Sequence, residues 1–125
     1  MDGPEAARRL IDSQSALGDR AVAWLALRRP FPDGAAGERV RAFCLEDTLL
    51  HVETLAAAVE FGEPGLFARY ARWCREVLAA RGIAAEDLAL NLEALGHAHA
   101  EIEENEEARR LASEALEAAR RELEA

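Results

Sequence analysis

The segment spanning residues 41–83 constrains the fold more than any other part of the chain, because two amphipathic repeats flank a helix-breaking tetrapeptide. On both sides of residues 62–65, whose sequence is GEPG, apolar side chains recur at steps of three and four, the periodicity of one helix face. Glycine tolerates the left-handed conformation that ends a helix, and proline cannot continue one. The segment therefore predicts an antiparallel helical hairpin at the centre of the fold.

The rest of the chain extends this hairpin into an all-α domain. Hydrophobic residues make up 50% of the 125 residues, with leucine and alanine dominant and glycine and proline confined to a few points. We expect one domain, a bundle of four to five helices with a long C-terminal helix. The predicted segments are a frayed tail at 1–4, a helix at 5–29, a loop at 30–35, hairpin helices at 36–61 and 65–81, and a long helix at 85–124.

Two predicted helices change their apolar pattern partway along. In the first, the pattern fades over residues 13–19, which predicts a bend near Gly18 with Asp19 capping the restart. In the last, the apolar register shifts after Ile102, but no glycine or proline intervenes, so we expect one continuous helix of about 60 Å, at about 1.5 Å per residue. Such a helix is longer than the hairpin. It is expected to project, to pack on a partner chain in coiled-coil fashion, or to fold back over the bundle.

Charge and targeting signals exclude several classes of partner. The net charge of −9 argues against nucleic-acid phosphates or an anionic membrane surface as the main partner. The N-terminus lacks the apolar core of a signal peptide, and no run reaches the length of a membrane span. Cys44 and Cys74 both fall on apolar stripes, where reduced core thiols are favoured and a bridge between the hairpin helices is the alternative. We therefore expect a cytoplasmic protein.

Asp47 and His51 are the polar exceptions on the apolar stripe of the first hairpin helix, one turn apart. They form either a hydrogen-bonded core pair or a functional site, in which His51 binds a ligand such as haem iron or senses pH. The second hairpin helix supplies an aromatic surface made of Phe67, Tyr70 and Trp73. This surface is either core packing or the wall of a pocket for a flat cofactor, with a tetrapyrrole as the candidate. Truncating any of the three rings is expected to be the most damaging single change.

Glu93, His97 and Glu101 follow each other at four-residue steps along one face of the last helix. Two carboxylates and an imidazole are ligand types that bind divalent metals in helical bundles. An exposed charged face is the alternative, because this face leads into an acidic stretch and the chain has no Glu-x-x-His spacing. We expect no metal and keep the three residues as candidates. His99, in the apolar seam of the same helix, is interpreted as a buried polar residue that sets helix register.

Residues 38–95 resemble the helical domain that precedes the cobalamin-binding domain in a group of bacterial cobalamin-binding regulatory proteins. The residues that carry the resemblance are Cys44, Asp47, His51, Leu55, Ala58, Gly62, Pro64, Phe67, Tyr70, Trp73, Leu78, Arg81, Gly82, Leu88, Asn91 and Leu95. In that family the cobalamin is held by an α/β domain with an Asp-x-His-x-x-Gly motif, which this sequence does not contain. The resemblance therefore implies a helical input or dimerisation module and does not carry cobalamin binding over. The bundle also resembles the helical N-terminal sensory domains of bacterial stress-response regulators.

The sequence shows no nucleophile with its base, no phosphate-binding loop and no CxxC pair, so we expect no enzymatic activity. The leading prediction is a regulatory, sensory or protein-interaction module that forms a homodimer or other homo-oligomer through the long C-terminal helix or the aromatic hairpin. In a longer protein, that helix would pass a signal to an output domain. One alternative is a sensor that binds a flat or tetrapyrrole ligand through His51 and the aromatic surface. The other is a metal-binding bundle.

Overall fold

The structure, a computed structural model, describes residues 1–125 and contains six α-helices and no strand. The all-helical fold class is confirmed, with six helices where four to five were predicted. The helices are α1 (Gly3–Asp12), α2 (Gln14–Arg28), α3 (Gly34–Glu60), α4 (Pro64–Ala79), α5 (Ala85–Ile102) and α6 (Glu106–Glu124). None of them combines the length and the apolar character that a membrane crossing requires.

Helix α3 is the centre of the bundle and touches each of the other five helices. The helix ends with a left-handed glycine, Gly62, at a φ of 64°. Two backbone bonds close this end, from Glu63 N to Ala58 O at 2.9 Å and from Gly62 N to Val59 O at 3.2 Å, the pattern of a Schellman motif. Because the motif reverses the chain within three residues, α4 returns along α3 and forms the central hairpin.

The predicted first helix is two helices, and the predicted bend near Gly18 is wrong. The chain breaks at Ser13, whose hydroxyl donates to Arg9 O at 2.7 Å. Gly18 lies inside α2, where a Cβ atom would come within 2.8 Å of Leu45 Cδ1 and 3.2 Å of a Leu49 methyl group. Glycine at this position therefore allows close packing of α2 on two leucine side chains of α3 and does not mark a bend.

The prediction of one long helix at 85–124 is also wrong. Residues Glu103 to Asn105 leave the helical conformation, and Glu103 has an extended backbone with φ −82° and ψ 119°. The Glu103 carboxylate accepts a hydrogen bond from Arg9 Nε of α1 at 2.8 Å and another from Asn105 N at 3.2 Å. Asn105 then caps α6, because its side-chain oxygen accepts from Ala108 N at 3.0 Å. Side-chain hydrogen bonds thus make the break without glycine or proline.

The break lets the second apolar stripe of this segment pack inside its own chain. Helix α6 packs along α4 and also touches α1, α3 and α5. The buried stripe of α6 consists of Ala108, Ala112, Ala115 and Ala119. Small side chains let two helix backbones approach closely, so the C-terminal segment completes the bundle and does not project from it.

Candidate functional site

A cleft of about 550 Å³ opens between the end of α2, the following loop at 30–33, the first half of α3 and the connection from α4 to α5. Its walls are mainly apolar, and its lining includes Leu25, Pro30, Phe31, Pro32, Val40, Phe43, Cys44, Leu78, Ile83, Leu88 and Leu90. The loop is held against α3 at Gly37, where a Cβ atom would collide with Pro32 O. Clefts of this volume and character hold small organic ligands.

His51 forms part of the cleft lining and keeps only 3% of its surface exposed. Its Nδ1 lies 2.6 Å from the Tyr70 hydroxyl, and its Nε2 has no hydrogen-bond partner. The Tyr70 hydroxyl also lies close to Cys74 and Thr54, and both side chains affect its pKa. We infer that the tyrosine donates to Nδ1, which places the imidazole proton on Nε2. A buried N–H without an acceptor is costly and is seldom found in a folded protein.

The His51–Tyr70 pair is neutral at pH 7. Burial lowers the pKa of His51 to about 4, and a nearby Asn91 only partly offsets this effect. Burial is also the largest cause that raises the pKa of Tyr70 above its usual range. A general base works best with a pKa close to the working pH, so a histidine of this kind is suited to hydrogen bonding and not to proton transfer.

Asn91, on α5, is the second polar group at the inner end of the cleft. Its one hydrogen bond runs from Nδ2 to Thr48 Oγ1 at 3.2 Å, and Thr48 donates in turn to Cys44 O at 2.7 Å. Asn91 lies close enough to His51 to favour the protonated ring, but no hydrogen bond of normal geometry joins the two side chains. The amide oxygen of Asn91 therefore accepts no hydrogen bond from another protein group.

Four charged side chains line the cleft and differ in how they are paired. Arg29, just after α2, forms an ion pair with Asp87 of α5 and links the end of α2 to α5. Arg81, just after α4, makes no ion pair or hydrogen bond with any other side chain, and neither does Asp47 of α3. Burial raises the pKa of the Asp47 carboxyl, Glu46 adds to the rise, and the charge of Arg81 opposes it. The cleft therefore contains one guanidinium and one carboxylate with no direct partner.

The structure separates the residues that the sequence grouped as a ligand site. His51 and Asp47 both line the cleft, but no hydrogen bond joins them, because His51 bonds to Tyr70. Phe67 is fully buried, Tyr70 packs against it with ring centroids 5.5 Å apart, and Trp73 is 54% exposed. None of these three rings lines the cleft. A binding role for these five residues stays a prediction. Among the aromatic rings, Tyr70 would influence a bound ligand through its hydrogen bond to His51.

Sequence reasoning missed the residues that come to the cleft from other elements, chiefly Asn91, Arg81 and Arg29. The signal for Asn91 was present, since a polar residue one turn after Leu88 interrupts the apolar stripe of α5. Arg81 falls at the end of the apolar stripe of the second hairpin helix, whereas no local signal marks Arg29, whose position at the cleft depends on how the helices pack.

The structure does not bring the three candidate metal ligands together. Glu101 turns away to Arg20 at 2.8 Å, and the closest approach of His97 to Glu93 is 4.0 Å. The His97 ring instead stacks on Trp24 with centroids 4.7 Å apart. No group of three His, Cys, Asp or Glu side chains in the chain could hold a metal ion. The side chains of Glu93, His97 and Glu101 are each more than half exposed.

The sequence also singled out His99 and the two cysteines. His99 is buried at the end of α5, and burial lowers its pKa while Glu103 opposes the shift. Both cysteines are free thiols, with Cys74 buried and Cys44 half-buried beside the cleft.

No family model, no curated protein and no solved structure matches this chain. The resemblance of residues 38–95 to the helical domain of cobalamin-binding regulators therefore stays a prediction.

Proposed function

We propose that this domain binds a small organic molecule in the cleft and acts as a non-enzymatic sensory module. One observation carries the proposal: a buried histidine whose Nε2 has no hydrogen-bond partner lines a largely apolar cleft of about 550 Å³. The two nitrogens of an imidazole point in different directions, so Nε2 points away from Tyr70, which lies outside the cleft lining. A ligand acceptor at this position would satisfy the N–H and recover the cost of burying it.

Haem was the ligand suggested by the sequence, and the His51–Tyr70 pair argues for an organic acceptor in its place. Iron needs the lone pair of Nε2, so the imidazole proton would have to move to Nδ1. Tyr70 would then have to accept that hydrogen bond, and its own hydroxyl proton would have to turn to another acceptor, such as the neighbouring Cys74 sulfur. We expect haemin added to the purified protein to leave its Soret band at the position of the free dye. A shifted band that is lost in His51→Ala would restore the haem hypothesis.

The binding proposal is tested with 8-anilinonaphthalene-1-sulfonate, a dye with an apolar body and one negative charge. We expect saturable fluorescence enhancement with one dye per chain. Val40→Trp narrows the cleft from an exposed position, and Leu27→Trp places the same ring on α2 outside the cleft lining. Val40→Trp should weaken dye binding about fivefold or more, a loss of about 1 kcal/mol, while Leu27→Trp should leave it unchanged. Equal binding by the two variants would contradict the proposal.

Self-association is a second candidate function, and exposed rings on the hairpin favour it. The projecting helix that motivated this prediction is absent, because α6 packs on α4. Trp73 and Phe61, however, remain 54% and 67% exposed. Exposed aromatic side chains are enriched at protein interfaces. Sedimentation velocity over a wide concentration range should show a dimer that Trp73→Ser dissociates, and a monomer at the highest concentration would exclude this candidate.

A further inference from the structure

Two buried polar side chains, His51 and Asn91, line the inner end of the cleft. The hydrogen-bond donor is His51 Nε2–H, which has no partner, and the acceptor is the amide oxygen of Asn91, whose Nδ2 is already used by Thr48. A hydroxyl group is the smallest ligand group that accepts from one and donates to the other. A methyl group at the same place would leave both protein groups unsatisfied.

The middle of the cleft is suited to a hydrocarbon. Rings and aliphatic side chains from the 30–33 loop, α3 and α5 form its walls, including Phe31, Phe43, Leu88 and Leu90. A charge placed between these walls would lose its hydration without gaining a partner. The cavity is large enough for about 18 water-sized groups at about 30 Å³ each, so a linear molecule of ten carbons fits.

The charged residues of the cleft favour a ligand anion. Arg29 is already neutralised by Asp87, whereas Arg81 has no carboxylate within salt-bridge distance. A ligand carboxylate can bind the guanidinium of Arg81 with charge-assisted hydrogen bonds. Asp47 is the other unpaired charge, and it would repel this carboxylate or attract an amine.

Resting on the binding function proposed above, we propose that the ligand is an amphipathic hydroxy acid. Its hydroxyl group lies between His51 and Asn91, its hydrocarbon body lies along the apolar walls, and its carboxylate binds Arg81. The class combines one neutral polar end and one anionic end across an apolar spacer, and each of these groups has a counterpart in the cleft lining.

Four ten-carbon probes separate the contributions by isothermal titration calorimetry on the full chain: 10-hydroxydecanoate, decanoate, 1,10-decanediol and 10-amino-1-decanol. We expect 10-hydroxydecanoate to bind most tightly. Decanoate lacks the inner hydroxyl and should bind about fivefold more weakly, the effect of one hydrogen bond between neutral groups. The diol lacks the charge and should bind about tenfold more weakly, the effect of a charge-assisted bond at a solvent-exposed arginine.

Variants at exposed positions test the carboxylate end without disturbing the core. Arg81→Gln should make the hydroxy acid and the diol bind alike, and Asp47→Asn should strengthen hydroxy-acid binding about threefold by removing the repulsion. Arg69→Gln makes the same change on α4 outside the cleft lining and should alter nothing. The hydroxyl end is tested in the unaltered protein by the ratio of the affinities for 10-hydroxydecanoate and decanoate, so no buried residue needs to change.

The outcomes distinguish failure of the ligand class from failure of the binding function. If the four probes bind alike, or if the amino alcohol binds best and loses its affinity in Asp47→Asn, the hydroxy-acid class is overturned while the cleft remains a binding site. If no probe binds and none displaces the fluorescent dye, both proposals are overturned. Preference for the hydroxy acid that depends on Arg81 and not on Arg69 supports the class.

Discussion

Replacing His51 with glutamine should remove part of the pH dependence of stability. The folded chain holds this imidazole neutral, with a pKa of about 4 against an ordinary value of 6.5, because burial opposes the charged form. Between these values the unfolded chain binds a proton that the folded chain does not. The free energy of unfolding therefore rises with pH in this window and falls as the solution is acidified through pH 6.5 towards pH 4.

The size of the effect follows from the same two values. At pH 5 the unfolded histidine is almost fully protonated, while the folded one is still mostly neutral. Each pH unit below the unfolded pKa costs about 1.4 kcal/mol, so His51 alone should remove about 2 kcal/mol of stability between pH 7 and pH 5. Burial of His99 lowers its pKa as well and adds a loss of the same sign.

Urea unfolding followed by circular dichroism at pH 7 and pH 5 measures this loss. The unaltered chain should lose about 2 kcal/mol more between the two pH values than His51→Gln does. His97→Gln is the matched control, since the same substitution then falls on an exposed histidine stacked on Trp24. Comparing losses cancels the titration of carboxylates that the variants share. If His51→Gln and the unaltered chain lose equal stability between pH 7 and pH 5, the folded protein does not hold His51 neutral, and our description of the inner end of the cleft is wrong.

Three further predictions concern the fold. Phe67→Ala should cost about 3–5 kcal/mol because the ring is fully buried, whereas Trp73→Ala at a half-exposed position should cost about 1 kcal/mol or less; similar losses in urea unfolding would contradict this assignment. Gly37→Ala should lower the melting temperature and weaken dye binding, because a methyl group there collides with the loop that forms one cleft wall; Gly65→Ala, whose methyl group would meet only the Arg69 guanidinium at an ordinary contact distance of 3.4 Å, should do neither. A normal Gly37→Ala protein would show that the loop is placed elsewhere. Glu103→Gln should cost about 1–2 kcal/mol at pH 7, since an arginine of α1 lowers the pKa of this carboxyl to about 2. That stability is present above pH 4.5 and lost as pH falls towards 2, so the gap between variant and unaltered chain should close over this range, and a constant gap would refute the ion pair.

Helix content was predictable from the sequence because each helix carries its own apolar stripe. The helix ends that were predicted well are marked by a residue type that stops a helix, such as Gly62 after α3. The break after Ile102 was missed because neither glycine nor proline marks it. Its signal was Asn105 followed by two glutamates, which is a capping residue with negative charge in the first turn of a helix. At Gly18 a bend was predicted where the helix continues, since a glycine at a close helix contact cannot be distinguished in a sequence from a glycine at a bend.

The candidate site was only half predictable for a related reason. His51 is recognisable as a polar residue on an apolar stripe, and the structure does place it at the cleft. Its hydrogen-bond partner was assigned to Asp47, one turn away on the same helix, but is Tyr70 of the next helix. Arg81 and Asn91 reach the cleft through the packing of α4 and α5 against α3, and sequence periodicity gives no information on this packing.

The most direct test of the role of His51 in ligand binding is a long-range proton–nitrogen NMR correlation of the histidine side chains at pH 7, with and without 10-hydroxydecanoate. We predict that His51 carries its proton on Nε2 in the free protein, that the Nε2 and proton resonances shift on addition of the hydroxy acid, and that His97 does not respond. A proton on Nδ1, or an unchanged Nε2 resonance while the ligand binds, would contradict the claim that the unpaired nitrogen of His51 is the ligand-binding group.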